Sequence, residues 1–116
     1  MSVYKFGNFE MEFDPTDVAF VEKYEQAVAE YQESVTAVSK DGKASEVMMR
    51  LCSIFYHVFD GLFGKGASKK MFGKTNSVDL CVKAFQKLAT AMNDYSKTLE
   101  LLPKGTAQSS AKRKNK

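Results

Sequence analysis

From residue 3 to residue 13, apolar and polar side chains alternate about a central Gly7-Asn8, with Val3-Tyr4-Lys5-Phe6 before it and Phe9-Glu10-Met11-Glu12-Phe13 after it. Alternation is the period of a half-buried strand, and Gly-Asn tolerates the positive φ of a tight two-residue turn, so this stretch predicts a β-hairpin. The short loop also sets the register: Phe6 opposite Phe9, Lys5 opposite Glu10, Tyr4 opposite Met11 and Val3 opposite Glu12. One face then gathers Tyr4, Phe6, Phe9, Met11 and Phe13, and the other carries the Lys5–Glu10 charge pair. A lone hairpin is marginal in water, so the apolar face must lie on something.

The period then changes. Val21, Tyr24, Val28, Tyr31, Val35 and Val38 follow one another at spacings of 3, 4, 3, 4 and 3, the seam of a helix packed lengthwise on partners. Asp14 suits its N-cap, Pro15 its first position and Asp17 its first turn, so the helix is expected over 15–39. Glu22, Lys23, Glu25, Gln26, Glu30, Gln32 and Glu33 fall on the side assigned to solvent, and Lys40-Asp41-Gly42-Lys43 reads as a turn. A second helix is expected over 45–63, ended by Gly64. Its apolar positions run most of the way round, from Val47 through Phe55, Tyr56, Phe59 and Phe63, which marks the centre of the fold.

Residues 64–73 are punctuated by Gly64, Gly66 and Gly73 and leave room for one short helical turn. A third long helix is expected over 77–102, capped by Asn76 or Ser77 with Asp79 in its first turn and ended by Pro103. Its seam is Cys81, Phe85, Leu88, Met92, Tyr95, Leu99 and Leu102. The expected fold is therefore mainly α: three long helices and a short helical turn, with an N-terminal β-hairpin packed on the bundle. Residues 1–103 form one domain, with the hairpin in 1–14. Residues 104–116 hold no large apolar side chain and read as a disordered basic tail.

Composition adds limits more than leads. With 116 residues, 44% of them hydrophobic and 27% charged, the chain suits a single globular domain. No apolar run approaches the roughly 20 residues of a membrane span, since Ser53, His57, Asp60 and Gly61 interrupt the longest. Two cysteines and one histidine fall short of a disulfide framework or a closed zinc site, so free thiols are expected, in a soluble protein of the cytoplasm. Charge is informative by position. Residues 1–33 carry −6, residues 34–103 carry +4 and residues 104–116 carry +5, so the basic character belongs to the tail. Lacking an aromatic for base stacking, that tail is a weak candidate for nucleic acid and reads as a solvated terminus.

Candidate chemistry is sparse. Gly73-Lys74-Thr75 suggests a phosphate loop, yet the glycine such a loop needs five positions earlier is Ser68, and a helix is expected before it in place of a strand. Cys52 and Cys81 would be nucleophiles only beside His57 and an orienting acid, and Cys52 and His57 point different ways on one helix. In apolar stripes both thiols read as small hydrophobes. No catalytic residue, metal ligand or cofactor is assigned, and an enzyme is not expected. The ladder Phe55, Phe59 and Phe63, with Phe72 nearby, reads as core or as a partner-binding and self-association surface.

The residues Tyr4-Lys5-Phe6-Gly7-Asn8-Phe9-Glu10-Met11-Glu12-Phe13-Asp14-Pro15, Val21-Glu22-Lys23-Tyr24-Glu25 and Phe55-Tyr56-His57-Val58-Phe59-Asp60-Gly61-Leu62-Phe63-Gly64 resemble small tail-module proteins of phages and prophages of Gram-positive bacteria. Lys70-Met71-Phe72-Gly73 and Asn76-Ser77-Val78-Asp79-Leu80-Cys81 fit the same pattern. Over residues 3–102 the chain is similar to tail assembly chaperones of long-tailed phages. That resemblance implies a protein that binds the tape measure protein during tail morphogenesis in the bacterial cytoplasm, and that self-associates. It brings no catalytic or ligand motif. A small phage-encoded inhibitor of a host enzyme or defence protein is the alternative.

Overall fold

The structure is a computed structural model and describes residues 2–7 and 9–93. Two strands, β1 (Ser2–Phe6) and β2 (Phe9–Phe13), precede four helices: α1 (Val18–Ala37), α2 (Ala44–Phe63), α3 (Ala67–Phe72) and α4 (Val78–Asn93). The mainly helical fold with its N-terminal hairpin is the expected one. The strands are antiparallel with Phe6 opposite Phe9, Lys5 opposite Glu10, Tyr4 opposite Met11 and Val3 opposite Glu12, the register that the loop length dictates. Gly7 takes φ 60°, which only glycine adopts cheaply, and so the chain can reverse there. Lys5 Nζ lies 3.8 Å from Glu10 Oε2 on the outer face. On the inner face Met11 and Phe13 are buried.

Helix α1 begins one turn later than its sequence suggests. Asp14 accepts from the Thr16 backbone N–H at 2.9 Å and from the Thr16 hydroxyl at 2.6 Å, and its carbonyl accepts the Asp17 N–H at 3.0 Å. Asp14-Pro15-Thr16-Asp17 is thus a turn, with Pro15 at the position that favours a fixed φ. Asp17 is the N-cap and accepts the Phe20 N–H at 3.0 Å. The helix also ends two residues short of Ser39, at Ala37. Between α1 and α2, Arg50 Nη1 donates to the Ser39 and Asp41 carbonyls at 3.0 and 2.7 Å and closes the loop onto α2. Lys43 N–H donates to Glu46 Oε1 at 2.8 Å, which satisfies one donor at the start of α2.

Helix α2 is the axis of the fold, and the hairpin, α1, α3 and α4 all pack on it. Cys52, Phe55, Val58, Phe59 and Leu62 are its buried residues. Helix α1 runs antiparallel along it, with Phe20 near Phe63 and Tyr31 near Phe55. Asp60 reaches from α2 to accept the Ser68 N–H at 2.8 Å, which fixes α3. Helix α4 starts as expected: Ser77 Oγ accepts the Leu80 N–H at 3.2 Å. Its buried residues are Cys81, Ala84, Leu88, Ala91 and Met92, so two alanines share the seam while Phe85 is half-buried. The expected continuation of this helix to 102, with Tyr95, Leu99 and Leu102, lies outside the described residues, as does the expected tail at 104–116.

Candidate functional site

The residues that sequence reasoning offered as a partner surface are interior. Phe55, Phe59 and Phe72 are 3%, 0% and 7% exposed, and Phe63 is half-buried. Four elements converge on α2, enough to cover a broad aromatic helix. Phe59 meets Phe72 edge-on at 5.9 Å, and Phe72 meets Phe6 of β1 at 5.6 Å. Phe55 sits between Tyr31 of α1 at 5.2 Å and Phe85 of α4 at 6.0 Å, and Phe63 packs on Phe13 at 5.8 Å. Such pairs add to the area they bury, so this face stabilises the chain itself.

What α2 leaves open is a different stripe: Met49, Ser53, His57 and Gly61, four residues apart and all exposed. Beside it α1 presents Ala19, Gln26, Ala27 and Glu30. Between the two helices runs a groove, opening into a cleft of about 350 Å³ bounded by Val58, Gly61 and Leu62 on α2. A second hollow of about 220 Å³ continues it past Tyr31, Ser34, Ser53 and Ile54. The floor is apolar and shallow, built from Ala19, Ala27, Val58, Leu62 and Ile54; the rim carries Glu22, Lys23, Gln26 and Glu30. His57 Nε2 and Glu30 Oε1 face each other across it at 3.8 Å, an exposed pair that holds the helices together only weakly.

Gly61 lines this groove without adding a side chain to it. Its φ is not positive, and a Cβ added there would meet no atom within 4 Å, so neither backbone nor packing requires glycine. Inside a helix, glycine costs about 0.5–1 kcal/mol relative to alanine. The visible consequence of accepting that cost is a floor with no side chain between His57 and Leu62. The groove was not read from the sequence, where Gly61 registered as a break in an apolar run and Glu22, Lys23, Gln26 and Glu30 as a solvated face. The signal that could have found it is the pairing of Ala19 and Ala27 on one helix with a mid-helix glycine on the next.

The groups of chemical interest lie elsewhere. Cys52 and Cys81 are free, fully buried and next to each other, with Tyr56 beside them. Burial first, and Cys52 second, push the Cys81 thiol up to about 12; burial and the two thiols push Tyr56 to about 12 as well. Tyr56 donates to Asn76 Oδ1 at 2.8 Å. A thiol held as strongly in the neutral form as Cys81 is a poor nucleophile at neutral pH. His57 is in the groove on another face of α2, facing Glu30, so the structure does not bring it to either cysteine. Gly73-Lys74-Thr75 follows the six-residue α3; Gly73 N–H donates to the Lys69 carbonyl at 2.8 Å and closes that helix. Among the described residues no group of three or more His, Cys, Asp or Glu could hold a metal, and no helix is long and apolar enough to cross a membrane.

A family model described as a family of unknown function (DUF6673) matches residues 7–116. No curated protein and no solved structure matches the chain.

Proposed function

The chain belongs to the DUF6673 family, and from its own geometry we propose that it is a non-enzymatic protein-binding protein whose α1–α2 groove receives a helical segment of a partner. The observation that carries this reading is Gly61, a helix-interior glycine whose one visible effect is to keep the groove floor bare. A shallow apolar floor with a polar rim of mixed charge suits the apolar stripe of an amphipathic helix, which buries its stripe and leaves its flanks at the rim. The resemblance to tail assembly chaperones gives the partner class: the tape measure protein of a long-tailed phage, whose long helical chain exposes such stripes before the tail tube forms around it. A small inhibitor of a host protein would use the same groove, so the partner's identity separates the two.

The test is co-expression with tape measure proteins of long-tailed phages of Gram-positive bacteria, followed by affinity capture and size-exclusion chromatography. Co-elution of the native chain, lost in a Gly61→Arg variant that keeps its helical circular dichroism, supports the proposal. Co-elution that Gly61→Arg leaves intact removes the groove from it. Failure of the native chain to co-elute removes the tape measure protein. Self-association, which the resemblance also implies, would need a surface other than the aromatic ladder. Met48 and Met49, 55% and 41% exposed at the start of α2, are the side chains that favour it, and light scattering of a Met48→Glu/Met49→Glu variant tests their part.

A further inference from the structure

The chain holds two cysteines, and the fold brings both to one point, on the far side of α2 from His57 and Gly61. Cys52 lies in the middle of α2 and Cys81 in the first turn of α4, and neither has any exposed surface. Contacts on either side bracket them. Tyr56, one turn after Cys52, donates its hydroxyl to Asn76 Oδ1 at 2.8 Å, just ahead of α4. Phe85, one turn after Cys81, meets Phe55 edge-on at 6.0 Å. The two thiols lie within hydrogen-bonding reach of each other and of the Tyr56 hydroxyl. Ala84, buried one turn beyond Cys81, brings only a methyl group to the seam of α4, which lets the helix approach its neighbour closely.

A single thiol in an apolar seam packs as a small hydrophobe. Two thiols in contact on different helices have a chemistry that neither has alone, because the loss of two hydrogens joins them. Thiol–disulfide exchange needs a thiolate and access to it, and the packed core denies both. Burial holds the Cys81 thiol in its neutral form. The group that touches both thiols and also reaches the surface is Tyr56, which is half-buried. Its ring packs on Phe72 at 5.5 Å, and its hydroxyl is tied to Asn76. Residues 73–76, the segment that this hydrogen bond holds, are exposed along their whole length. Segments with so little burial belong to the end of a structure that opens most readily.

We propose that Cys52 and Cys81 are a redox-responsive pair: a small disulfide oxidant converts them to an intrachain bridge that fastens α4 to α2, and the Tyr56–Asn76 hydrogen bond is the latch that limits its access. The step balances. A thiolate formed during an opening attacks the S–S bond of the oxidant, bonds to one half and releases the other half as a thiolate. The second cysteine, having lost its proton, attacks the mixed disulfide, forms the Cys52–Cys81 bond and expels the remaining half. The protein gives up two protons and two electrons, and the oxidant leaves as two thiols. This goes beyond the partner-binding reading, since the thiols and the α1–α2 groove are on different sides of α2 and neither needs the other.

The test uses the full reduced chain at neutral pH with excess oxidised glutathione, read by intact mass and by mapping of proteolytic peptides. The expected product is a monomer lighter by two hydrogens, without a glutathione adduct, in which the peptide holding Cys52 is joined to the one holding Cys81. Dithiothreitol should reverse it, and its urea midpoint should lie above that of the reduced chain. Tyr56→Phe, which keeps the ring and removes the latch, should form the bridge several-fold faster while retaining its helical circular dichroism, the effect of one lost hydrogen bond on an opening equilibrium. A stable glutathione adduct, a bond between two chains, or reaction only in urea would overturn the bridge. A bridged chain with a lower urea midpoint would overturn its fastening of α4. An unchanged rate in Tyr56→Phe would overturn the latch.

Discussion

Helices α1 and α2 are each twenty residues long and lie side by side, yet α2 has five buried residues and α1 has none. The difference is in how many neighbours each one has. Helix α2 meets the hairpin, α1, α3 and α4, so beyond its first turn its apolar positions are largely covered, and the stripe Met49, Ser53, His57 and Gly61 stays open. Helix α1 meets the rest of the domain through one seam, and Val21, Tyr24, Val28 and Tyr31 are all half-buried there. An apolar pattern therefore tells which side of a helix is in contact. Only the surrounding elements tell how completely. Stability is concentrated in α2, and the groove proposed for a partner lies along the side that α1 shares with it.

The largest expected effect tests that contrast directly. Phe59→Ala removes a ring with no exposed surface and should cost about 3–5 kcal/mol, read from urea unfolding. On α1 the comparable truncation is Tyr31→Ala, which loses a stack on Phe85 at 5.0 Å and a tilted contact with Phe55 at 5.2 Å. Its ring is only partly buried, so about 2 kcal/mol is expected from area and aromatic pairing. Equal losses at the two positions would break the comparison between an enclosed helix and a one-sided one. A Phe59→Ala loss below about 1 kcal/mol would remove α2 from the centre of the fold.

Alkaline pH gives a second way to sharpen it, because the buried thiols belong to the α2–α4 contact. The Cys81 thiol, ordinarily near 9.0, is pushed up to about 12 by burial and then by Cys52. Above pH 9 the unfolded chain releases that proton while the folded chain keeps it, so the unfolded state binds fewer protons and stability must fall as pH rises. The stabilisation is complete below about 9 and is lost progressively toward 12. Tyr56 adds a loss of the same sign, and so does Tyr24, which burial also raises. Unfolding midpoints between pH 8 and 11 should therefore decline, and Cys81→Ala should make the decline shallower even though it lowers stability at pH 8. An unchanged slope in that variant would mean that Cys81 titrates normally in the folded state.

The first turn of α1 shows what sequence could and could not decide. Asp14 and Asp17 are both good caps, and Pro15 suits either the first helical position or the second position of a turn. Tertiary contact chose between them: Phe13 stacks on Phe20 at 4.7 Å, which requires a turn between strand and helix. Asp17→Ala should cost about 1 kcal/mol, a helix-cap loss, whereas Asp14→Ala should cost less because it loosens only the turn. Where local chemistry was clear the sequence was legible: the hairpin register followed from Gly7-Asn8, the end of α2 from Gly64, and the start of α4 from the Asn76-Ser77 pair, of which Ser77 makes the cap. Buried Ala84 and Ala91 escaped because a small side chain carries little periodic signal. The aromatic ladder stayed open between core and partner surface because its residue types are the same in both, and burial places Phe55, Phe59 and Phe72 in the core. The groove escaped for a stronger reason: it is defined by a missing side chain and by polar residues whose rim position exists only after α1 is laid on α2.

The smallest expected effect is also the sharpest, since two measurements should move in opposite directions. Gly61→Ala adds a methyl group in open space at a helical φ, so it should stabilise the chain by about 0.5–1 kcal/mol through the lower entropy of the unfolded state. The same methyl projects into the groove that Gly61 lines together with Val58 and Leu62, where a partner helix would need its closest approach. Affinity for a helical partner should therefore drop while the unfolding midpoint rises, and Gly61→Leu should widen the gap. A glycine retained for folding would behave otherwise: Gly61→Ala would lower the midpoint, or would raise it without touching affinity. Opposed changes of stability and binding are the signature of a position whose local cost is accepted for the sake of a surface.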